Sequence, residues 1–190
     1  MSASSHRRWS LLGQGLHWLS AALIVFMLGL GLTMVEVVTD PGTRFDLYQL
    51  HKSCGALVFL VMAIRALWRL GASVPDLPVG MPKAERILSR IVHLALYLFI
   101  FAITVSGYVM VSASTLPLPI ELPGGLHVPN LVAPDYDLSE TMKRLHHRLA
   151  WSLLALVVLH IMAALKHHFW DRDEVLAQML PVGRGQRRAV

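Results

Sequence analysis

Four long stretches of this chain carry almost no polar side chains, and short polar segments separate them. The apolar blocks cover about residues 16–38, 51–70, 91–113 and 146–168. A helix rises about 1.5 Å per residue, so about 20 apolar residues cross the ~30 Å of hydrocarbon in a bilayer. Each block is long enough, and the pattern predicts four transmembrane helices. The first is too long for the core of a signal peptide, and no small-residue cleavage site ends it. Residues 75–82, with Pro75, Pro78, Gly80 and Pro82, break the chain between the second and third spans. The proline-rich segment 114–141 has no convincing helical period. It is predicted to form an ordered or semi-ordered cap over one mouth of the bundle, because free loops of that length are uncommon. The expected fold is all-α: one membrane domain over residues 1–190, an antiparallel four-helix bundle with a tail at 171–190.

Charge gives this bundle a direction. Only 15% of residues are charged, against about 25% in a soluble domain. The net charge of +5 does not point to nucleic acid, because the basic residues flank the apolar blocks and form no single stripe. Twelve of the seventeen Lys and Arg residues fall on the side that holds both termini. The other side has Arg44, Lys52, Lys143, Arg144 and Arg148, together with seven of the twelve acids. The positive-inside rule then predicts cytoplasmic termini and a periplasmic 114–141 cap. A single cysteine, Cys54, excludes an intrachain disulfide framework and a cysteine-rich zinc site.

Ten histidines in such a chain require an explanation, since ionisable groups in hydrocarbon are costly. His17 lies near the cytoplasmic start of the first span and His51 near the outer start of the second. His146 and His160 are fourteen residues apart in the fourth span, almost four whole turns, so they share a face about 21 Å apart in depth. His17 is thereby level with His160, and His51 with His146. Two depth-matched imidazole pairs facing a bundle core suit the axial ligation of haem iron. The bland alternative is interhelical hydrogen bonding worth about 1 kcal/mol each. A zinc site is disfavoured, because two imidazoles per level lack the further ligands that metal takes.

Gly15-Leu16-His17-Trp18-Leu19, His51-Lys52-Ser53-Cys54-Gly55, and the run from Leu159-His160 through Lys166-His167-His168-Phe169-Trp170-Asp171-Arg172-Asp173 resemble the bacterial cytochrome b561 family. The resemblance extends from about residue 9 to Pro181, and the C-terminal run is its most specific part. It implies a multi-pass inner-membrane protein with two b haems that exchanges electrons with quinone. Within the family the chain is most similar to members that oxidise superoxide and reduce ubiquinone. The family's haem-ligand positions fall on His17, His51, His146 and His160, the set reached from spacing. Segment 114–141 matches no motif of the family.

Other residues support this reading. Arg65, fourteen residues after His51, is level with the inner haem and suited to a propionate; the alternative is snorkelling, for which Arg69 is better placed. Gly55 and Gly107 suit either close approach of a porphyrin or tight helix packing. His167 and His93, at the cytoplasmic level, are candidates for hydrogen bonds or protons to ubiquinone; otherwise they are interfacial histidines. His6, His127, His147 and His168 receive no role. Trp9, Trp18, Trp68 and Trp170 read as interfacial anchors, and the apolar run 175–180 as lying on the membrane surface. Lys52, Lys143, Arg144 and Arg148 surround the outer ligands as a cationic collar, with the acids expected in loops away from it. Such a collar either steers a small anion such as superoxide or neutralises propionates and headgroups.

The expected activity is electron transfer from a periplasmic donor, superoxide, to membrane ubiquinone. The alternative is a cytochrome b conduit subunit for a hydrogenase or dehydrogenase partner. A proton-relay transporter is a distant third, because the spans lack the broken half-helices of that class.

Overall fold

Three of the four long helices start on a side chain that accepts from a free N–H group, and the other starts after Pro82 with no such cap. Ser10 Oγ accepts from Gly13 N at 3.2 Å, Asp40 Oδ2 from Thr43 N at 2.8 Å, and Asp135 Oδ1 from Leu138 N at 3.0 Å. Asp40 lies between two spans, and the Thr43 N–H bond holds its carboxyl below the ordinary value. Pro41 fits the first turn after that cap because its missing N–H would be unpaired there anyway. A computed structural model describes residues 8–78, 80–116 and 118–180. It contains α1 (Leu11–Leu32), α2 (Pro41–Gly71), α3 (Lys83–Ser112) and α4 (Tyr136–Lys166).

All four helices begin ahead of their apolar blocks. α2 begins at Pro41 and α4 at Tyr136, each ten residues ahead of the apolar stretch. Capped polar turns add length that hydropathy does not detect. Residues 136–141 therefore belong to α4 and not to the cap. α1 and α4 each end in a π-helical turn, at Thr33–Val37 and His167–Asp171. The first turn is held by Arg44, whose Nε donates to Val38 O at 3.0 Å. The second ends at Arg172 in the left-handed region, with φ of 53°.

The helices are transmembrane by length and composition, with mean hydropathies of 1.7–2.2 over their apolar windows. Only 6–17% of each window is buried within the protein. Outward residues such as Leu67 (70% exposed) and Leu94 (60%) need a lipid solvent. The chain is a multi-pass membrane protein. Its core is small: Ile24 from α1, Val58 and Met62 from α2, Ile100 from α3 and Leu153 from α4.

The two mouths of the bundle are closed differently. At one, β1 (Ile120–Leu122) and β2 (Leu126–Val128) form an antiparallel hairpin, and Gly124 and Gly125 supply the positive φ of its turn. Ser53 Oγ donates to Glu121 O at 2.5 Å and Tyr108 OH to Pro129 O at 2.8 Å, fastening this cap to α2 and α3. At the other mouth, a strap runs back from α4 through a 3₁₀ turn, Ala177–Met179. Gln14 Nε2 donates to Gln178 O at 3.1 Å and Trp18 Nε1 to Met179 O at 2.7 Å, so the run 175–180 is tied to the start of α1. Trp9 and Trp68 also pack here, ring centres 6.2 Å apart, with Trp68 against Gly13. Of the four expected anchors only Trp170 stands free, at 85% exposure. His6, Arg7 and the basic residues of 181–190 lie outside the described residues.

Among the described residues Met62 is the most enclosed large side chain, 1% exposed, in a cluster to which all four helices contribute. Met62→Ala is expected to lower stability by about 2–5 kcal/mol, read as a reduced thermal midpoint in detergent.

Candidate functional site

The cap end brings together one imidazole from α2 and one from α4. His51 and His146 have ring centres 6.2 Å apart and planes at 75°. His146 Nδ1 donates to Ile103 O at 2.9 Å, with Ser106 Oγ at 3.3 Å. The carbonyl is an acceptor only, so the bond fixes the proton on Nδ1 and leaves the Nε2 lone pair for a metal. His51 Nδ1 is buried without a hydrogen-bond partner. Gly107 makes the room: a Cβ there would lie 3.0 Å from His146 Cε1. Gly107 thus stands against the His146 imidazole, while a Cβ at Gly55 would meet Met27 at an ordinary 3.7 Å.

At the strap end, three histidines from three helices converge. His17 and His160 have ring centres 6.4 Å apart, and His93 lies 5.3 Å from His160. Arg65 Nη2 donates to His17 Nδ1 at 2.9 Å while its guanidinium lies 5.5 Å over Tyr97. This contact, which the sequence reading missed, turns Arg65 inward rather than toward headgroups. Arg69 does not snorkel either. It stacks 4.3 Å over the Trp9 ring with Nη1 buried. His93 Nδ1 donates to Ser89 O at 2.6 Å.

His167 does not join this group. It lies two turns further along α4 among carboxylates, with Nδ1 2.6 Å from Asp173 Oδ2 and 3.1 Å from Asp171 Oδ2. Glu85 and Lys166 complete that cluster. Spacing along one helix gives no sign of it, because Glu85 comes from α3.

A cavity of about 1050 Å³ opens at the cap end and reaches both His51 and His146. Lys52, Lys143, Arg144 and Arg148 all line it. The acids are not confined to distant loops: Glu36 and Glu140 line the same cavity, and Glu140 pairs with Lys143 at 3.2 Å. Four cations against two carboxylates still leave the wall positive. His147 also lines this space and accepts from Trp151 Nε1 at 3.2 Å, whereas His127 is in β2 and His168 meets Phe169 edge-on.

These residues fit a b-type haem. Two imidazoles bound to one metal at about 2 Å each have ring centres roughly 6 Å apart, close to the spacing of both pairs. The cavity is at the upper end of the ~300–1,000 Å³ typical of cofactor sites.

Comparison with known proteins agrees with this chemistry. The chain is 39% identical over 173 residues to "Cytochrome b561 homolog 2" of Escherichia coli (strain K12), covering 91% of each protein. It is 27% identical over 188 residues to "Probable superoxide oxidase CybB" of Yersinia pestis, covering 95% of this chain and 99% of that one. It is 22% identical over 166 residues to "Cytochrome b561 homolog 1" of Escherichia coli (strain K12), covering 87% and 93%. Residues 8–182, nearly the whole chain, match the family described as prokaryotic cytochrome b561. The chain therefore belongs to the prokaryotic cytochrome b561 family, electron-transferring b-haem proteins of the bacterial inner membrane.

Proposed function

We propose that this protein is a superoxide:ubiquinone oxidoreductase with two haems. His51 and His146 would hold an outer b haem below the periplasmic cap, and His17 and His160 an inner one near the cytoplasmic strap. Ubiquinone would be reduced at the strap end beside His93, within reach of the His167 cluster. The positive-inside argument supports this orientation. The observation that carries the choice of donor is the cap-end cavity, whose cationic wall leads from the periplasmic mouth to the His51–His146 pair. The relative named as a probable superoxide oxidase supports the same choice.

Bound haem supplies a one-electron carrier at each level; the chain's residues supply the rest. Lys52, Lys143, Arg144 and Arg148 attract a small anion and exclude none of its size. His146 is kept in the ligating tautomer by Ile103 O. A proton on His17 Nδ1, which coordination through Nε2 demands, releases the Arg65 guanidinium for a propionate carboxylate. The core residues between the two levels exclude water from the electron path.

Two experiments test this reading. In His160→Ala the haem-to-protein ratio should fall from two to one, with the outer haem spectrum retained; a ratio still at two refutes the pairing. The rate of haem reduction by superoxide should fall steeply with ionic strength, and Arg148→Gln should lower it several-fold at low salt, since focused fields raise association rates by ~10-fold or more. A slow rate, flat with salt and indifferent to the substitution, removes superoxide as the donor.

A further inference from the structure

We propose that Glu85, His167, Asp171 and Asp173 form the proton-loading group for quinone reduction at the strap end. The inference rests on the ubiquinone position above and assigns its proton source. His167 is the hub. Its Nδ1–H is held by Asp173 Oδ2 at 2.6 Å and Asp171 Oδ2 at 3.1 Å, so the exchangeable position is Nε2, which faces Glu85 Oε2 at 3.9 Å. Lys166 Nζ bridges Glu85 Oε1 at 2.7 Å and Asp171 Oδ2 at 2.8 Å. Three carboxylates and one ammonium leave the group at −2 while the imidazole is neutral. One added proton halves that charge. The ammonium already occupies the place between Glu85 and Asp171 that a divalent ion would take, so this geometry collects protons rather than a metal.

Exposure grades in the direction a proton would travel. The side chains of Lys166 and Glu85 are 45% and 34% exposed, whereas those of Asp173 and His167 are 17% and 13%. The carboxylates on the open side can reload from water, and the sheltered imidazole is the last donor. The group also lies on the shared α3–α4 face that holds the deeper histidines. Glu85, Ser89 and His93 follow one another at intervals of four residues on α3, and His167 follows His160 by seven on α4. A quinone head between the two levels has the His93–His160 pair above it and His167 and Glu85 below, the levels being about 10–12 Å apart.

The stoichiometry closes. Two superoxide anions each give up one electron and leave as O₂; one quinone takes both electrons and two protons and becomes the quinol. Each proton passes from His167 Nε2 to a quinone oxygen and is replaced from water by way of the Glu85 carboxylate, the more exposed group that faces the same nitrogen.

The test uses the haem-loaded protein in detergent, with ubiquinone-1 as acceptor. Glu85→Gln keeps the side-chain shape and should leave haem content and the rate of haem reduction by superoxide at wild-type values. Reoxidation by ubiquinone-1 should slow by at least about 10-fold at pH 8 and recover toward wild type near pH 6, where solvent supplies the proton. Asp173→Asn should shift the pH profile in the same direction, and Glu85→Asp should restore it. His93→Ala reports separately on where quinone binds, through KM. Wild-type pH profiles in Glu85→Gln and Asp173→Asn, with KM raised in His93→Ala, overturn the proton-loading role and leave the quinone position standing. An unchanged KM in His93→Ala together with unchanged pH profiles removes quinone from this end, and the proton group with it.

Discussion

An imidazole inside a bundle surrounded by lipid cannot use water to satisfy its two ring nitrogens, and the architecture of this protein follows from that constraint. Each nitrogen has to meet a carbonyl, a donor or a metal. His146 and His93 give their Nδ1 protons to main-chain carbonyls, of Ile103 and Ser89. His17 Nδ1 accepts from Arg65, and His51 Nδ1 has no partner. At His146 this leaves the Nε2 lone pair for a metal, and at His17 the same state requires the proton to move to Nδ1 and Arg65 to leave it. The hydrogen bonds thus serve packing and ligation at once. This is why a glycine stands at position 107: any side chain there would press on the His146 ring that Ile103 O anchors.

A regular step along the helices separates the two levels. Ile24 follows His17 by seven residues, Val58 follows His51 by seven, and Leu153 lies seven from both His146 and His160. Seven residues are close to two turns, so the core side chains share faces with the histidines and fall about 10 Å from each level. The enclosed core of the protein is this middle layer. Its buried members, Ile24, Val58, Met62, Ile100 and Leu153, carry no group able to pass a proton, and a bare anion would pay a heavy desolvation cost among them. Electrons can cross such a layer between two carriers; ions cannot. The apolar plug that holds the bundle together also keeps the chemistry of the two mouths apart.

Much of this was legible in the sequence because hydrocarbon imposes a coarse filter. Block length and composition revealed four spans, and fourteen-residue spacing revealed which histidines share a depth. What stayed hidden depends on contacts between helices or on polar ends. The first ten residues of α2 and of α4 are polar turns beyond the apolar blocks, so hydropathy placed 136–141 in the cap. The hairpin at 120–128 is too short to show a strand period. The clustering of Glu85 with His167 requires α3 and α4 to be in register, which no single-helix argument supplies. Arg69 stacks on Trp9 instead of snorkelling for the same reason, as Trp9 approaches from α1's flank. The four collar cations do line one cavity, but the pairing of Glu140 with Lys143 runs against the expectation that the acids lie in loops away from them.

Two local groups of charge have opposite sign, although the termini side as a whole carries most of the Lys and Arg. The cap-end cavity has an excess of cations, whereas the strap end joins three carboxylates to one lysine and one histidine. Charge of one sign arriving at the His160 level acts on groups roughly 10 Å away through protein and lipid, not bulk water. With an effective dielectric near 20, one electron at that distance is worth on the order of 1–2 kcal/mol. That is about a tenfold preference for taking up a proton beside it.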